Sequence, residues 1–252
     1  MIMTIATKIA GLAATAVVAL SALTTANAGE AGNEPDGKLI IVEDDWRPLF
    51  DGKTLSGWRS YKKPKPTSAW SIKDGRIVLE RFNWWFPTVH RRGALMTVDQ
   101  FTNFELELEW KVAKRGNSGL MFGVRELEKA RFAHDSGIEV QILDNERGLG
   151  HKDPYQRAGG IYGLFPPKTD SAKPAGEFNK VRLRVLDGKV HHWLNGVEMT
   201  SFDMRSEAWK DLMAEKDYAF ERSETGHIVL QDHLYNVEFK NIRIRELAVS
   251  AD

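Results

Sequence analysis

The strongest constraint on the fold is a recurring alternation of apolar and polar residues, interrupted by Asp-Gly and Asn-Gly pairs. Asp74-Gly75 divides the alternating segment Trp70–Leu79, and two further pairs of this kind divide Val185–Val197. Alternation with period two is typical of strands, and such pairs supply the positive φ angles of tight type I′ turns. We therefore predict a two-stranded hairpin and, later in the chain, a three-stranded meander.

Other segments alternate in the same way. We predict strands around Phe104–Trp110, Ile138–Ile142, Ile228–Leu230 and Phe239–Ile244. One helix is predicted over Arg205–Lys216, lying over a sheet edge, because three apolar residues recur there at helical spacing. Many short antiparallel strands with little helix predict an all-β fold, a sandwich or a barrel.

The first 28 residues have the pattern of an export signal. Lys8 precedes an apolar run from Ile9 to Leu23, and Ala26-Asn27-Ala28 matches a cleavage site. The alternative is a retained membrane anchor, but the run is shorter than a comfortable bilayer span. We expect a signal peptide (1–28), a flexible leader (29–44), a single sandwich domain (45–248), no integral membrane segment after cleavage, and a periplasmic or secreted location.

The composition excludes several functions. The chain has no cysteine, so thiol catalysis, thiolate metal sites and disulfides are excluded. Lys and Arg together number 35, as do Asp and Glu, so no global field favours nucleic acid, and we expect no nucleic-acid partner. No Gly-rich phosphate loop, GxSxG or HExxH motif occurs.

Two sets of polar residues could take part in catalysis. Glu105, Glu107 and Glu109 alternate on one strand, either as the carboxylates of a conventional retaining glycosidase or as a solvated outer face, which we favour. The second set begins with Glu139 and Gln141, which project from the face of their strand opposite the core.

The segment Gly226–His233 repeats this second arrangement. Gln231 and His233 share one face, while Ile228 and Leu230 are core residues. This polar face either is solvated or lines a groove.

Several sequence blocks occur in a consistent order from Leu49 to Leu247. They are LFDGKTLSGW, GNSGLMF, SGIEVQILDN, AGGIYGLFPP with KPAGE, GEFNKVRLRVLDGKVHHWLNGVEM, and GHIVLQDH with NIRIREL. Together they resemble the 3-keto-disaccharide hydrolase family. This resemblance implies a concanavalin-like jelly-roll β-sandwich with a concave substrate face, and an exported enzyme that cleaves glycosides whose sugar is oxidised at carbon 3.

The resemblance also implies site residues. The matched positions with chemical character are Asn117, Glu139, Gln141, Asp144, Asn145, Tyr162, Lys173, Glu177, His192, Asn195, Gln231, Asp232 and His233. The chain departs from the family where His151 and Asp153 come later than usual after LDN, and where Leu234 replaces a glycine. These departures affect the expected substrate more than the fold.

Cleavage of a 3-keto-glycoside by elimination needs a base, an enolate stabiliser and an acid. Our hypothesis makes Glu139 and His233 the catalytic proton carriers, with Gln141 and Gln231 holding hydroxyls or the enolate oxygen. The residues expected to complete the substrate site are Asn117, Tyr162, Asp144 and Trp193. The cofactor is unknown, and two alternatives are equal. Either a divalent metal is held by Asp144 and His151, with Glu139 and His233 as further ligands, or no metal is bound.

Four aromatic residues each have two possible roles. Trp84, Trp85, Tyr155 and Trp193 could each stack on a sugar ring or pack beneath a loop. The expected partner is an oligosaccharide or glycoside substrate. The rival interpretations are a non-catalytic carbohydrate-binding module, an ordinary glycosidase, and a scaffold domain of an envelope complex.

Overall fold

The computed structural model describes residues 46–80 and 92–248. The predicted signal peptide, the predicted leader, Trp84 and Trp85 lie outside these residues. The strands are β1 (Arg47–Pro48), β2 (Trp58–Ser60), β3 (Trp70–Lys73), β4 (Arg76–Leu79), β5 (Leu95–Thr97), β6 (Phe104–Val112), β7 (Asn117–Val124), β8 (Ile138–Leu143), β9 (Asn179–Leu186), β10 (Lys189–Leu194), β11 (Val197–Asp203), β12 (His227–Leu230) and β13 (Val237–Glu246). The helix α1 spans Glu207–Lys216, and two 3₁₀ helices span Ala133–Asp135 and Pro154–Gln156.

The strands form two antiparallel sheets. The eight-stranded sheet has the order β11-β10-β9-β6-β13-β4-β3, with β1 also paired to β13. The five-stranded sheet has the order β2-β5-β12-β7-β8. The two sheets face each other across one large hydrophobic core. The predicted all-β fold is confirmed as a jelly-roll sandwich.

The predicted turns form the predicted hairpins. Asp74 and Gly75 have φ angles of 48° and 72° between β3 and β4. Asp187-Gly188 and Asn195-Gly196 take similar positive φ angles on either side of β10. These pairs therefore fix the registers of β3–β4 and of the β9–β10–β11 meander.

Alternation separates the core from the outer faces, as predicted. In β6, Phe104, Leu106, Leu108 and Trp110 are buried in the core. In β8, Ile138, Val140 and Ile142 are buried in the same core, so Glu139 and Gln141 project from the outer face of the five-stranded sheet.

The predicted helix is confirmed and begins two residues later than expected. Ser206 caps α1, because its Oγ accepts a hydrogen bond from the Trp209 backbone N–H at 3.2 Å. Trp209 is buried and stacks on Phe202 of the edge strand β11, with ring centroids 5.1 Å apart. The helix thus covers one edge of the eight-stranded sheet. No helix within residues 46–80 and 92–248 is long and apolar enough to cross a bilayer.

Candidate active site

A buried carboxyl group and two amides meet on the outer face of the five-stranded sheet. Glu139 comes from β8, and Gln231 directly follows β12. The central strand β7 joins them, since the Gln231 backbone N–H donates to the Gly119 carbonyl at 2.8 Å. Gln231 Nε2 then donates to Glu139 Oε2 at 3.2 Å. The structure therefore brings together two residues that are 92 positions apart in the chain.

Gly119 makes room for the carboxyl group. It lies opposite Gln141 in the β7–β8 register, on the face from which Glu139 projects. A Cβ at position 119 would lie 2.1 Å from Glu139 Oε1 and 2.7 Å from its Cδ. The Glu139 side chain thus lies across β7, in space that exists because residue 119 has no side chain.

The surroundings of Glu139 favour the neutral carboxylic acid. The residue is 9% exposed, and a small apolar cluster that includes Met121 and Val229 lies on the same face. Burial raises the pKa of Glu139 to about 8, although the hydrogen bond from Gln231 acts in the opposite direction. Most of the Glu139 carboxyl groups therefore carry a proton at neutral pH.

Gln141 and Gln231 also offer acceptors to a ligand. Gln141 Nε2 donates weakly to Asn117 Oδ1 at 3.4 Å, which places Asn117 beside the cluster. The Oε1 atoms of Gln141 and Gln231 are buried and have no hydrogen-bond partner in the described part of the chain. Because buried acceptors normally have a donor, these two amides are suited to accept hydrogen bonds from a bound ligand.

Tyr162 and His233 lie at the rim of this face. The Tyr162 backbone N–H donates to the Glu139 carbonyl at 2.9 Å, and its side chain is 44% exposed. Burial raises the pKa of Tyr162, and the charge of Glu139 adds to this effect. His233 is exposed and stacks on Tyr235, with ring centroids 6.1 Å apart. Both residues are accessible to a substrate that reaches the rim.

A second histidine, His134, lies near His233, and no sequence pattern indicates it. Burial lowers the pKa of His134, Asp135 opposes this shift, and the charges of Arg222 and His233 lower it further. His134 belongs to the 3₁₀ helix Ala133–Asp135, which connects β7 to β8. A short connecting segment has no periodicity from which its side chains could be assigned to a site.

Asp144 and His151 have local roles in the fold. Asp144 is 3% exposed, and its carboxylate accepts hydrogen bonds from the backbone N–H groups of Arg115 at 2.7 Å and Glu146 at 3.1 Å. His151 Nδ1 lies 2.8 Å from the Gly148 carbonyl oxygen. Within the two described ranges, no three His, Asp or Glu side chains form a group that could hold a metal. The expected pair Asp144 and His151 is thus not gathered into a metal centre.

Trp193 does not join the site. Its neighbours His192 and Leu194 occupy core positions. Because side chains alternate between the two faces of a strand, Trp193 lies on the outer face of the eight-stranded sheet. There it stacks on His191 at 5.6 Å and lies under the Arg182 guanidinium at 5.0 Å. The expectation that Trp193 contacts the same substrate as Glu139 is therefore not met.

The alternative carboxylates on β6 are neutralised by basic residues. Glu105, expected on a solvated face, is instead 1% exposed. The ion pairs of the row are Glu105 with Arg182 and Arg245, Glu107 with Lys180 and Arg243, and Glu109 with Lys240. Each carboxylate is held by cations from neighbouring strands, which is an arrangement for stability rather than for an acid–nucleophile pair.

Comparison with known proteins identifies the family. Residues 45–245 match the 3-keto-alpha-glucoside-1,2-lyase-like domain. The chain belongs to this family. A relative from Bacteroides thetaiotaomicron, named 3-keto-disaccharide hydrolase, is 34% identical in an alignment of 236 residues, and the match covers 83% of this chain and 81% of the relative. The resemblance that the sequence blocks indicated is thereby confirmed.

Solved structures agree with this assignment. A protein described as a "putative glycosyl hydrolase" from Parabacteroides distasonis superposes with a TM-score of 0.70 at 30% identity, covering 81% of this chain and 94% of that one. A beta-glucanase from Bacillus licheniformis superposes with a TM-score of 0.50 at 10% identity, over 81% of this chain and 99% of its own. The glucanase shares only the jelly-roll fold.

Proposed function

We propose that this protein cleaves the glycosidic bond of 3-keto-glycosides, including 3-keto-disaccharides, by elimination followed by hydration. The family membership and the name of the Bacteroides relative support the substrate class. The observation that carries the proposal is the buried carboxyl group of Glu139, which accepts a hydrogen bond from Gln231 and whose pKa burial raises to about 8. Such a group can give a proton to a leaving oxygen at neutral pH.

The ketone at carbon 3 determines the reaction. It acidifies the hydrogen on carbon 2, because the resulting carbanion is an enolate. A base removes this proton, and the enolate then expels the oxygen on carbon 1, breaking the glycosidic bond. Water adds to carbon 1 of the unsaturated ketone, and carbon 2 regains a proton. The net reaction consumes one water molecule.

Glu139 serves as the general acid in this scheme. Its proton goes to the glycosidic oxygen as the bond to carbon 1 breaks, so the leaving group departs as a neutral alcohol. The carboxylate that remains accepts the hydrogen bond from Gln231, which stabilises the negative charge. In the hydration half of the reaction, the same carboxylate takes a proton from the attacking water.

His233 serves as the base at carbon 2, since it is exposed at the rim, close to Gln231 in the chain. The amides of Gln141 and Gln231 bind hydroxyls and donate to the enolate oxygen, where negative charge develops.

We also propose that the protein acts outside the cytoplasm. Lys8, the apolar run Ile9–Leu23 and the cleavage pattern Ala26–Ala28 support this location. Expression of the full chain in a Gram-negative host, followed by N-terminal sequencing of the periplasmic protein, tests it. A mature N-terminus at Gly29 is expected, and an uncleaved chain in the membrane fraction contradicts the proposal.

The substrate assay uses matched pairs of glycosides. The protein is incubated with methyl 3-keto-α-glucoside, with a 3-keto-disaccharide, and with the unoxidised parent of each, both with and without chelator. Released alcohol or sugar is measured by chromatography. We expect cleavage of the two keto compounds and none of their parents, because the parents lack an acidic hydrogen on carbon 2.

Other outcomes favour other functions. Cleavage of the parents contradicts the requirement for the ketone and indicates an ordinary glycosidase. Binding of the keto compounds without cleavage indicates a carbohydrate-binding module. Loss of cleavage with chelator, restored by a divalent metal, adds a metal to the mechanism.

A further inference from the structure

A large open cleft lies beside α1. Its volume is about 710 Å³, and its walls come from α1 and from the segment 218–225 that follows the helix. The side chains that matter here are Trp209, Lys210, Met213, Tyr218, Phe220 and Arg222. A cleft of this size accommodates a sugar ring with its hydroxyl groups.

The lining of the cleft combines apolar side chains with charged ones, and the charged ones include carboxylates as well as cations. Trp209, Met213 and Phe220 supply apolar and aromatic surface, whereas Lys210 and Arg222 supply cationic donors. A pyranose ring matches this pattern, because its C–H faces pack on apolar surface and its hydroxyls accept hydrogen bonds at the edge. Arg222 Nε is buried and has no hydrogen-bond partner in the described part of the chain, so a ligand hydroxyl can satisfy it.

Phe220 is well placed for such a contact. Its side chain is half-buried, yet it is not among the residues packed against either hydrophobic cluster of the described chain. Tyr218 and Met213, by contrast, pack against the main core and give the cleft a firm wall. The Phe220 ring therefore adds apolar surface to the cleft more than to the core.

One wall of the cleft is attached to the segment that precedes β8, the strand of Glu139. Arg222 Nη1 donates to the Asp135 carbonyl at 2.6 Å and to the His134 carbonyl at 3.1 Å, and its guanidinium lies 4.1 Å from the Tyr218 ring centroid. These contacts fix the cleft wall to the 3₁₀ helix that precedes β8.

A second connection runs through the loop beside β8. The Tyr218 hydroxyl lies 3.8 Å from the position of a Cβ built on Gly163. The preceding residue, Tyr162, is hydrogen-bonded through its backbone to Glu139. One wall of the cleft thus touches both segments that flank Glu139.

We propose that this cleft binds the leaving-group sugar ring of a 3-keto-disaccharide, while the oxidised ring lies at Glu139. The inference rests on the proposed function and assigns the second half of its substrate. The apolar side chains pack on the C–H face of the departing ring, and Lys210 and Arg222 bind its hydroxyls. Substrates with a small leaving group do not use the cleft.

Two variants and one control test the proposal. Phe220→Ala removes the ring, and Lys210→Ala removes an exposed donor that lines the cleft. Asp211→Ala changes the adjacent exposed position of α1, which does not line the cleft. For each protein, kcat and KM are measured with a 3-keto-disaccharide and with methyl 3-keto-α-glucoside.

We expect Phe220→Ala to raise KM for the disaccharide about tenfold and Lys210→Ala to raise it about threefold, the size of one stacking and one polar contact. KM for the methyl glycoside stays unchanged in both variants, and Asp211→Ala matches the wild type on both substrates. An unchanged KM for the disaccharide, or an equal rise for both substrates, overturns the subsite alone. A wild type that cleaves neither substrate overturns the proposed function, and the subsite with it.

Discussion

Gln231 Nε2 donates a hydrogen bond of 3.2 Å to Oε2 of Glu139. The two side chains meet over β7 at Gly119, which has no side chain to separate them. This bond favours the carboxylate, whereas burial favours the neutral acid. Burial prevails, because the pKa of Glu139 is raised to about 8. Gln231 thus limits the shift, keeping the acid close to the pH at which it can both give and regain a proton.

Replacing Gln231 with methionine should raise the pKa of Glu139 further, since the variant lacks the hydrogen bond that lowers it. We measure the pH profile of kcat/KM on the activity that the variant retains, and we expect its basic limb to move to higher pH. The matched control is Gln141→Met, because Gln141 bonds to Asn117 and not to Glu139. A limb that moves equally in both variants, or in neither, contradicts the role given to Gln231.

Glu139→Gln and His233→Ala should each lower kcat/KM for a 3-keto-glycoside by roughly 100-fold or more, which is the usual contribution of one general acid or base. Both proteins should remain folded, because glutamine fits the buried site and His233 is exposed. Circular dichroism and the thermal midpoint check the fold. Full activity in either variant removes that residue from the mechanism.

The raised pKa of Glu139 also predicts how stability depends on pH. The ordinary value is 4.5 and the folded value is about 8. Between these values the folded protein keeps a proton that the unfolded chain releases, so this contribution to stability is complete below pH 4.5 and is lost as pH rises through 8. Urea unfolding at pH 5, 6.5 and 8 should show Glu139→Gln gaining stability over the wild type as pH rises. A constant difference contradicts the raised pKa.

Gly119→Ala should displace the Glu139 side chain, because the added Cβ would lie 2.1 Å from Oε1. We expect a loss of both activity and unfolding free energy. The loss of stability should largely disappear in a Glu139→Ala background, where no carboxyl group meets the new methyl group. This double-mutant cycle separates the clash from a general effect on β7. Equal destabilisation in both backgrounds contradicts the close contact.

The sequence predicts much of this fold because local rules decide it. The pair Asp74-Gly75 sets its turn without help from distant residues, and period two assigns Ile138 and Val140 to the core and Glu139 to the opposite face. The same rule assigns Trp193 to a face but not to a sheet. The sheet to which Trp193 belongs depends on the order of the strands, and alternation within one strand carries no information about that order.

The site itself depends on strand order even more. Glu139 and Gln231 meet because β7 lies between β8 and β12, and nothing in either segment specifies that neighbour. Arg222 lies in an irregular segment, and its guanidinium donates to the backbone carbonyl of His134, in the 3₁₀ helix before β8. Such contacts involve carbonyl groups that every residue carries, so the side-chain pattern gives no signal for them.

Glu105 on β6 allows the last prediction, which separates a structural carboxylate from a catalytic one. It is 1% exposed and is paired with Arg182 and Arg245, so Glu105→Gln leaves guanidinium groups without their partner. We expect the variant to lose about 3 kcal/mol of unfolding free energy, as when one partner of a buried ion pair is removed. Its activity on a 3-keto-glycoside should be unchanged below the unfolding transition.

The matched control is Glu109→Gln on the same face of the same strand. The Glu109 side chain is 27% exposed and pairs with Lys240, so its loss should cost less than about 1 kcal/mol. Both values come from urea denaturation at one pH. Because Glu105 is more buried than Glu109 and has more cationic partners, a large difference in stability with equal activity assigns this row to the fold. A loss of activity in folded Glu105→Gln would instead return these carboxylates to the list of catalytic candidates.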